Sequence, residues 1–117
     1  MIGRISERRD FERLTRHGRR ARTTTLWCRY VDDPNAVPPR VAFAVGRAVG
    51  GAVSRNRLRR RLRALLRGAV ASQPPRLVHG LLLIGAQPGA GELSFAGLSG
   101  EVEDLLGAVR APLVRPS

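Results

Sequence analysis

The chain has 117 residues, 21 of them basic and 9 acidic, for a formal net charge of +12, with aromatics at only 4%. That length suits one domain with a modest core, and no apolar run approaches the roughly 18 residues of a membrane span. Cys28 is the only cysteine, which excludes an internal disulfide framework and a cysteine-rich zinc module.

The opening Met1-Ile2-Gly3-Arg4-Ile5-Ser6-Glu7 has no apolar stretch, so no secretory signal is predicted and a reducing, cytoplasmic setting is expected. Ser6 is a candidate cap for a first helix ending at His17-Gly18, with Gly18 predicted in the left-handed position. Arg20–Arg22 is a candidate short edge strand. Thr23 to Val31 is rich in β-branched and aromatic residues and predicts a strand. Its alternation sets Thr25, Trp27 and Arg29 on one face and Leu26, Cys28 and Tyr30 on the other. Asp32-Asp33-Pro34-Asn35 is turn chemistry. Val41 to Val45 is apolar on both faces and predicts a central strand.

After a loop from Gly46 to Gly51, Ser54 to Ala71 carries the strongest helical signal. Leu58, Leu62, Leu65, Leu66 and Ala69 form one apolar stripe, and Ser72-Gln73-Pro74-Pro75 ends it. Leu81 to Ile84 predicts a buried strand, and Pro88 to Gly91 a turn. Ser94 is placed to cap a last helix reaching about Arg110, with Leu98, Val102, Leu105, Leu106 and Val109 inward and the tail 111–117 frayed. The predicted fold is one α/β domain over residues 1–117. It is an α-β sandwich of order αβββαβα, its helices packed on a small mixed four-stranded sheet, with a βαβ crossover through the basic helix.

Charge is unevenly placed along this order. Residues 1–67 hold 18 arginines and five acids, a net of +13, whereas residues 68–117 hold three arginines and four acids, a net of −1. All of the basic residues are arginine; with Ala, Gly and Pro also abundant, that choice fits a GC-rich coding sequence and the surplus of charge does not depend on it. Seven arginines lie between Arg55 and Arg67, and no acid occurs between Asp33 and Glu92. At helical spacing Asn56, Arg59, Arg60, Arg63 and Arg67 share an arc about 100° wide beside the leucine stripe. Arg57 and Arg61 take the other flank, and Arg55 the N-terminal end. A merely solvated helix face would interleave glutamates at i, i+4. Unrelieved like charges weaken the free protein and gain their purpose against a polyanion, whose phosphates guanidinium groups grip in pairs.

A helix-turn-helix for duplex DNA needs a second helix joined by a short turn; here the basic helix follows a strand and a Gly-rich loop, so folded RNA read by shape and phosphate is favoured. The loop Gly46-Arg47-Ala48-Val49-Gly50-Gly51 lacks the Gly-Lys-Ser/Thr ending of a nucleotide-binding P-loop, yet its backbone N–H groups and Arg47 are placed to meet phosphates. His17 and His79 have no ligand-spaced partner, Cys28 is read as a buried small side chain, and Glu101, Glu103 and Asp104 as solvated surface. No catalytic set and no metal site is predicted in the polypeptide.

Arg40-Val41-Ala42-Phe43-Ala44-Val45-Gly46-Arg47 followed by Gly50-Gly51-Ala52-Val53-Ser54-Arg55-Asn56-Arg57-Leu58-Arg59-Arg60-Arg61-Leu62-Arg63 resembles the signature of the bacterial ribonuclease P protein subunit. Asp10-Phe11 and His17-Gly18 resemble that family's first helix and its end, and the likeness covers roughly residues 4–110. It implies a protein that binds a large catalytic RNA which, with Mg²⁺ held mainly by that RNA, removes the 5′ leader from precursor tRNA; the chemistry belongs to the RNA. By motif, Arg55, Asn56, Arg57, Arg59, Arg60 and Arg63 would meet the RNA subunit, joined by Arg47 and Arg67. The same likeness implies a cleft for the single-stranded leader between the sheet and the first helix, with Phe11, Trp27 and Arg29 in it. Thr15, Arg29, Ala48, Gly51 and Ala86 depart from the family's usual residues and make this cleft less aromatic and less basic. The alternative is a general structured-RNA-binding or ribosome-associated protein without an enzymatic role.

Overall fold

A computed structural model describes the backbone of residues 1–114 and the side chains of residues 1–110. Strand β1 (Gly3–Arg4) precedes helix α1 (Arg8–His17), strands β2 (Arg19–Arg22), β3 (Leu26–Val31) and β4 (Arg40–Ala44), helix α2 (Ala52–Ala71), strand β5 (Leu81–Ala86) and helix α3 (Phe95–Val114). The sheet has five strands in the order β1-β4-β5-β3-β2, where four were expected. The extra strand is two residues long and pairs in parallel with β4; so short a segment shows no periodicity. The most interior strand is β5, not β4, which has only β1 outside it. The expected crossover is present: β4 and β5 run parallel and α2 connects them, while β3 runs antiparallel to β5.

The sheet separates two apolar layers. On one face Leu26, Cys28, Tyr30, Val41, Leu82 and Ile84 pack with Leu58, Leu62, Leu66 and Ala69 of α2 and with Leu98, Val102, Leu105, Leu106 and Val109 of α3. Both predicted stripes are therefore buried, Leu65 only in part, as is the β3 face of Leu26, Cys28 and Tyr30. On the other face a smaller cluster joins Ile5, Leu14, Ala36 and Leu81, so α1 covers only part of the sheet. Two acids pin it there. The buried Asp10 accepts from Arg40 Nη2 at 3.1 Å, and Asp33 accepts from Arg13 Nη1 at 3.0 Å. The Asn35 backbone N–H and then the Arg13 guanidinium hold the Asp33 carboxyl below its ordinary value.

Several boundaries differ from expectation for local reasons. Glu7, not Ser6, stands at the cap of α1, without a side-chain capping bond. Gly18 is extended (φ −69°, ψ 137°) rather than left-handed, because β2 begins at the next residue; a Cβ there would strike the Leu14 carbonyl oxygen, so glycine is required by close approach. Residues 23–25 form a link and not part of β3, α2 begins at Ala52, and β5 runs on to Ala86. Ser94 Oγ does accept from the Gly97 N–H at 3.0 Å, as a cap should. Helix α3 continues past Arg110 to Val114; the remainder of the expected frayed tail, residues 115–117, lies outside the described residues. Among the described residues no helix is long and apolar enough to cross a membrane.

The β2–β3 link is tied to α3 by one carboxylate. Glu101 Oε1 accepts from Thr23 Oγ1 at 2.5 Å and from the Thr25 N–H and Oγ1, each at 2.9 Å. Burial alone would raise the Glu101 carboxyl, but the donors from Thr23 and Thr25 outweigh it and hold the group below its ordinary value of 4.5. A depressed folded-state value means stability present above the unfolded value and lost as pH falls through the folded one. Glu101→Gln should therefore lower stability by about 1–2 kcal/mol at pH 7 and remove part of the acid sensitivity below the unfolded value. Denaturant titrations of both proteins at neutral and acid pH measure this; equal losses at both would show that the charge is not what matters.

Candidate nucleic-acid interface

The leucine stripe presses α2 onto the sheet, and that contact decides where its arginines go. Arg57, Arg60 and Arg67 are exposed. Others are moored to the scaffold. Arg59 donates from Nη1 to Asn56 Oδ1 at 3.0 Å and from Nη2 to the Val45 carbonyl at 3.1 Å. The Arg63 guanidinium lies 5.3 Å from the centre of the Phe43 ring. Arg61 donates to the Leu93 carbonyl at 3.3 Å, on the opposite flank. Arg55 is half-buried at the helix start, its Nε without a partner. Arg47 is exposed in a 3-10 turn, Arg47–Val49, just before α2.

The helix thus places Asn56, Arg59, Arg60, Arg63 and Arg67 side by side as predicted, with Arg59 and Arg63 also held from beneath. Chain order alone hides one neighbour: Arg4 of β1 lines a groove with Arg63 and Arg67, over Ile2, Gly3 and Val41.

Most of the acids are engaged elsewhere. Glu7 pairs with Arg9, Glu12 with Arg8, Asp10 with Arg13 and Arg40, Asp33 with Arg13, Glu103 with Arg76, and Asp32 with His79. Among the described residues no arginine of α2 has a carboxylate within ion-pair distance. Seven guanidinium charges on one helix, without a carboxylate partner among the described residues, form a strongly cationic surface.

On the opposite sheet face, Trp27 lies against Gly85, its partner on β5, so closely that a Cβ on Gly85 would overlap indole atoms Cε2, Cζ2 and Nε1. Trp27 and Arg29 line an open depression of about 570 Å³ with Arg20, Arg22 and Gln87. Phe11 is exposed on α1 and borders a different hollow, with Arg8, Glu12, Thr15 and Arg16. The predicted trio of Phe11, Trp27 and Arg29 is therefore spread over two depressions. Arg20 and Arg22, read from sequence only as an edge strand, join the depression that holds Trp27 and Arg29; the β2–β3 register sets Arg20 opposite Arg29 and Arg22 opposite Trp27.

Burial raises the Cys28 thiol to about 11 against a weaker opposing contact from the Ala21 backbone, so it stays protonated and unreactive. Tyr30 is raised to about 12, first by burial and then by Asp32, and donates its hydroxyl to the His79 carbonyl at 2.7 Å. Both are structural members of the core.

The fold and its two basic faces define a small α/β RNA-binding protein. Residues 3–110 match the family model described as Ribonuclease P, and the chain belongs to that family. The fold is similar to that of the ribonuclease P protein of Staphylococcus aureus, 18% identical, with a TM-score of 0.76 over 90% of this chain and 93% of that one. It is likewise similar to the Thermotoga maritima ribonuclease P protein, 19% identical, with a TM-score of 0.75 over 91% of this chain and 96% of that one. No curated protein sequence matches the chain. The family's members are the protein subunit of a ribonucleoprotein endonuclease; they work with the ribonuclease P RNA and bind the 5′ leader of precursor tRNA.

Proposed function

We propose that α2 is the docking face for the ribonuclease P RNA and that the open sheet face beside α1 receives the leader. The observation that carries the first half is the absence of any carboxylate against the α2 arginines among the described residues. Arg57, Arg60 and Arg67 contact RNA phosphates directly. Asn56, Arg59 and Arg63 do so from fixed positions, where little side-chain freedom is left to lose on binding. Arg55 and Arg47 extend the contact around the start of α2, where the helix has no side-chain cap and no acid in its first turn. On the other face Trp27 offers a ring for a leader base with Arg29 beside it, and Phe11 offers a second ring on α1.

The hydrolysis is the RNA's. Mg²⁺, which stabilises charge on the reacting phosphate when bound, is placed by this reading on the RNA subunit. The chain offers it no fitting cage: among the described residues no group of three His, Cys, Asp or Glu side chains stands together to hold a metal ion. The chain's own residues screen RNA charge and hold the leader, and both reduce the Mg²⁺ the holoenzyme needs. A cytoplasmic location follows from the RNA partners and the reduced single thiol.

Reconstitution with the ribonuclease P RNA tests this. Leader removal at low Mg²⁺ should rise when the chain is added. RNA binding without such stimulation would favour a general RNA-binding role instead.

A further inference from the structure

Strand β2 is the edge of the sheet, and its residues alternate between two duties. Arg19 faces the α3 layer and donates from Nη1 to the Val109 carbonyl at 3.2 Å. Arg20 and Arg22 are exposed on the opposite face, directly across from Arg29 and Trp27. Arg20 against Arg29 sets like charges on one rung, an arrangement that weakens a strand pair. None of Arg20, Arg22 and Arg29 has a carboxylate within ion-pair distance among the described residues. All of them border the open depression that holds the half-exposed Trp27 indole. A fold that keeps unrelieved repulsion around an accessible ring has assembled both parts of a nucleotide site, a stacking surface for a base and cations for phosphate.

We propose that Arg20 and Arg22 hold phosphates of the leader and carry its path off Trp27 onto the β2 edge. The proposal rests on the leader reading above and adds to it the residues and the direction. Same-face residues on a strand repeat every 6.8 Å or about that, which is of the order of the spacing between successive phosphates in an extended single strand. One base on the indole and successive phosphates on Arg22 and Arg20 then follow the strand residue pair by residue pair. Contacts of this kind are indifferent to sequence and sensitive to length: a leader must be long enough to reach β2.

The experiment uses the reconstituted holoenzyme and two precursor tRNAs that differ only in leader length, one with a single nucleotide and one with about eight. Wild type should bind the long-leader substrate more tightly. In Arg20→Gln/Arg22→Gln that advantage should shrink about tenfold, and the log–log salt slope for the long leader should flatten by about 1.4, for two single-strand phosphate contacts. Melting temperature shows whether the variant is folded, and relief of the Arg20–Arg29 repulsion should leave it no lower than wild type. An undiminished long-leader advantage in the folded variant overturns the role of β2 while the leader reading stands. Wild-type protein with no long-leader advantage overturns the leader reading itself.

Discussion

Replacing Arg57, Arg60 and Arg67 together by alanine should weaken binding to the ribonuclease P RNA by about a thousandfold. The size follows from charge-assisted contacts at the lower end of their range, about 1.5 kcal/mol each because these side chains are solvent-exposed, with 1.4 kcal/mol for every tenfold. These three positions are exposed and make no ion pair among the described residues, so the substitution removes charge and leaves packing intact. The free protein should melt no lower than wild type, because repulsion along the helix is relieved. The log–log salt slope should flatten by about 2–3 for three lost phosphate contacts. Arg59 and Arg63 are poorer probes, since alanine there also removes bonds to Val45 and Asn56 or the stack on Phe43. Filter binding across a range of salt decides the matter: an unchanged slope would show that RNA docks on another face.

How much of this could be read from residue order varies with the range of the interaction. The leucine stripe of α2 and the alternation of β3 are local patterns set by 3.6- and 2-residue periods, and both faces fell where those periods place them. The Arg55–Arg67 array was legible for the same reason. What anchors it was not: Val45, Phe43 and Leu93 touch Arg59, Arg63 and Arg61 only because β4 and the turn before α3 come to lie beside α2. Strand β1 escaped because two residues pairing through the backbone leave no side-chain signature. Gly18 after His17 suggests the left-handed form that commonly ends helices, whereas the immediate start of β2 demands an extended residue without a Cβ. The place of Arg20 and Arg22 depends on register, since only the pairing with Arg29 and Trp27 brings them onto the depression.

Register also underlies the second large effect, which is expected of Gly85→Ala. Gly85 stands opposite Trp27 on β3 and Ala44 on β4, within the most interior strand. A methyl group there would occupy space filled by the indole. The neighbouring strands hold the backbone in place, so the ring is what moves, outward toward solvent. Stability should fall by about 1–3 kcal/mol, as for other overpacked sites. Leader binding should suffer more than RNA-subunit binding, because the stacking surface tilts away while α2 on the other face is untouched. Loss of one stacked base is worth about 1–3 kcal/mol, or roughly tenfold in affinity for a long-leader precursor. Trp27 is the only tryptophan, so its fluorescence reports on this one ring. Emission should shift to the red in the variant, and the response to added leader RNA should shrink. Unshifted emission with intact leader affinity would mean that the ring's seat on Gly85 is a packing detail and that bases are held elsewhere on the chain.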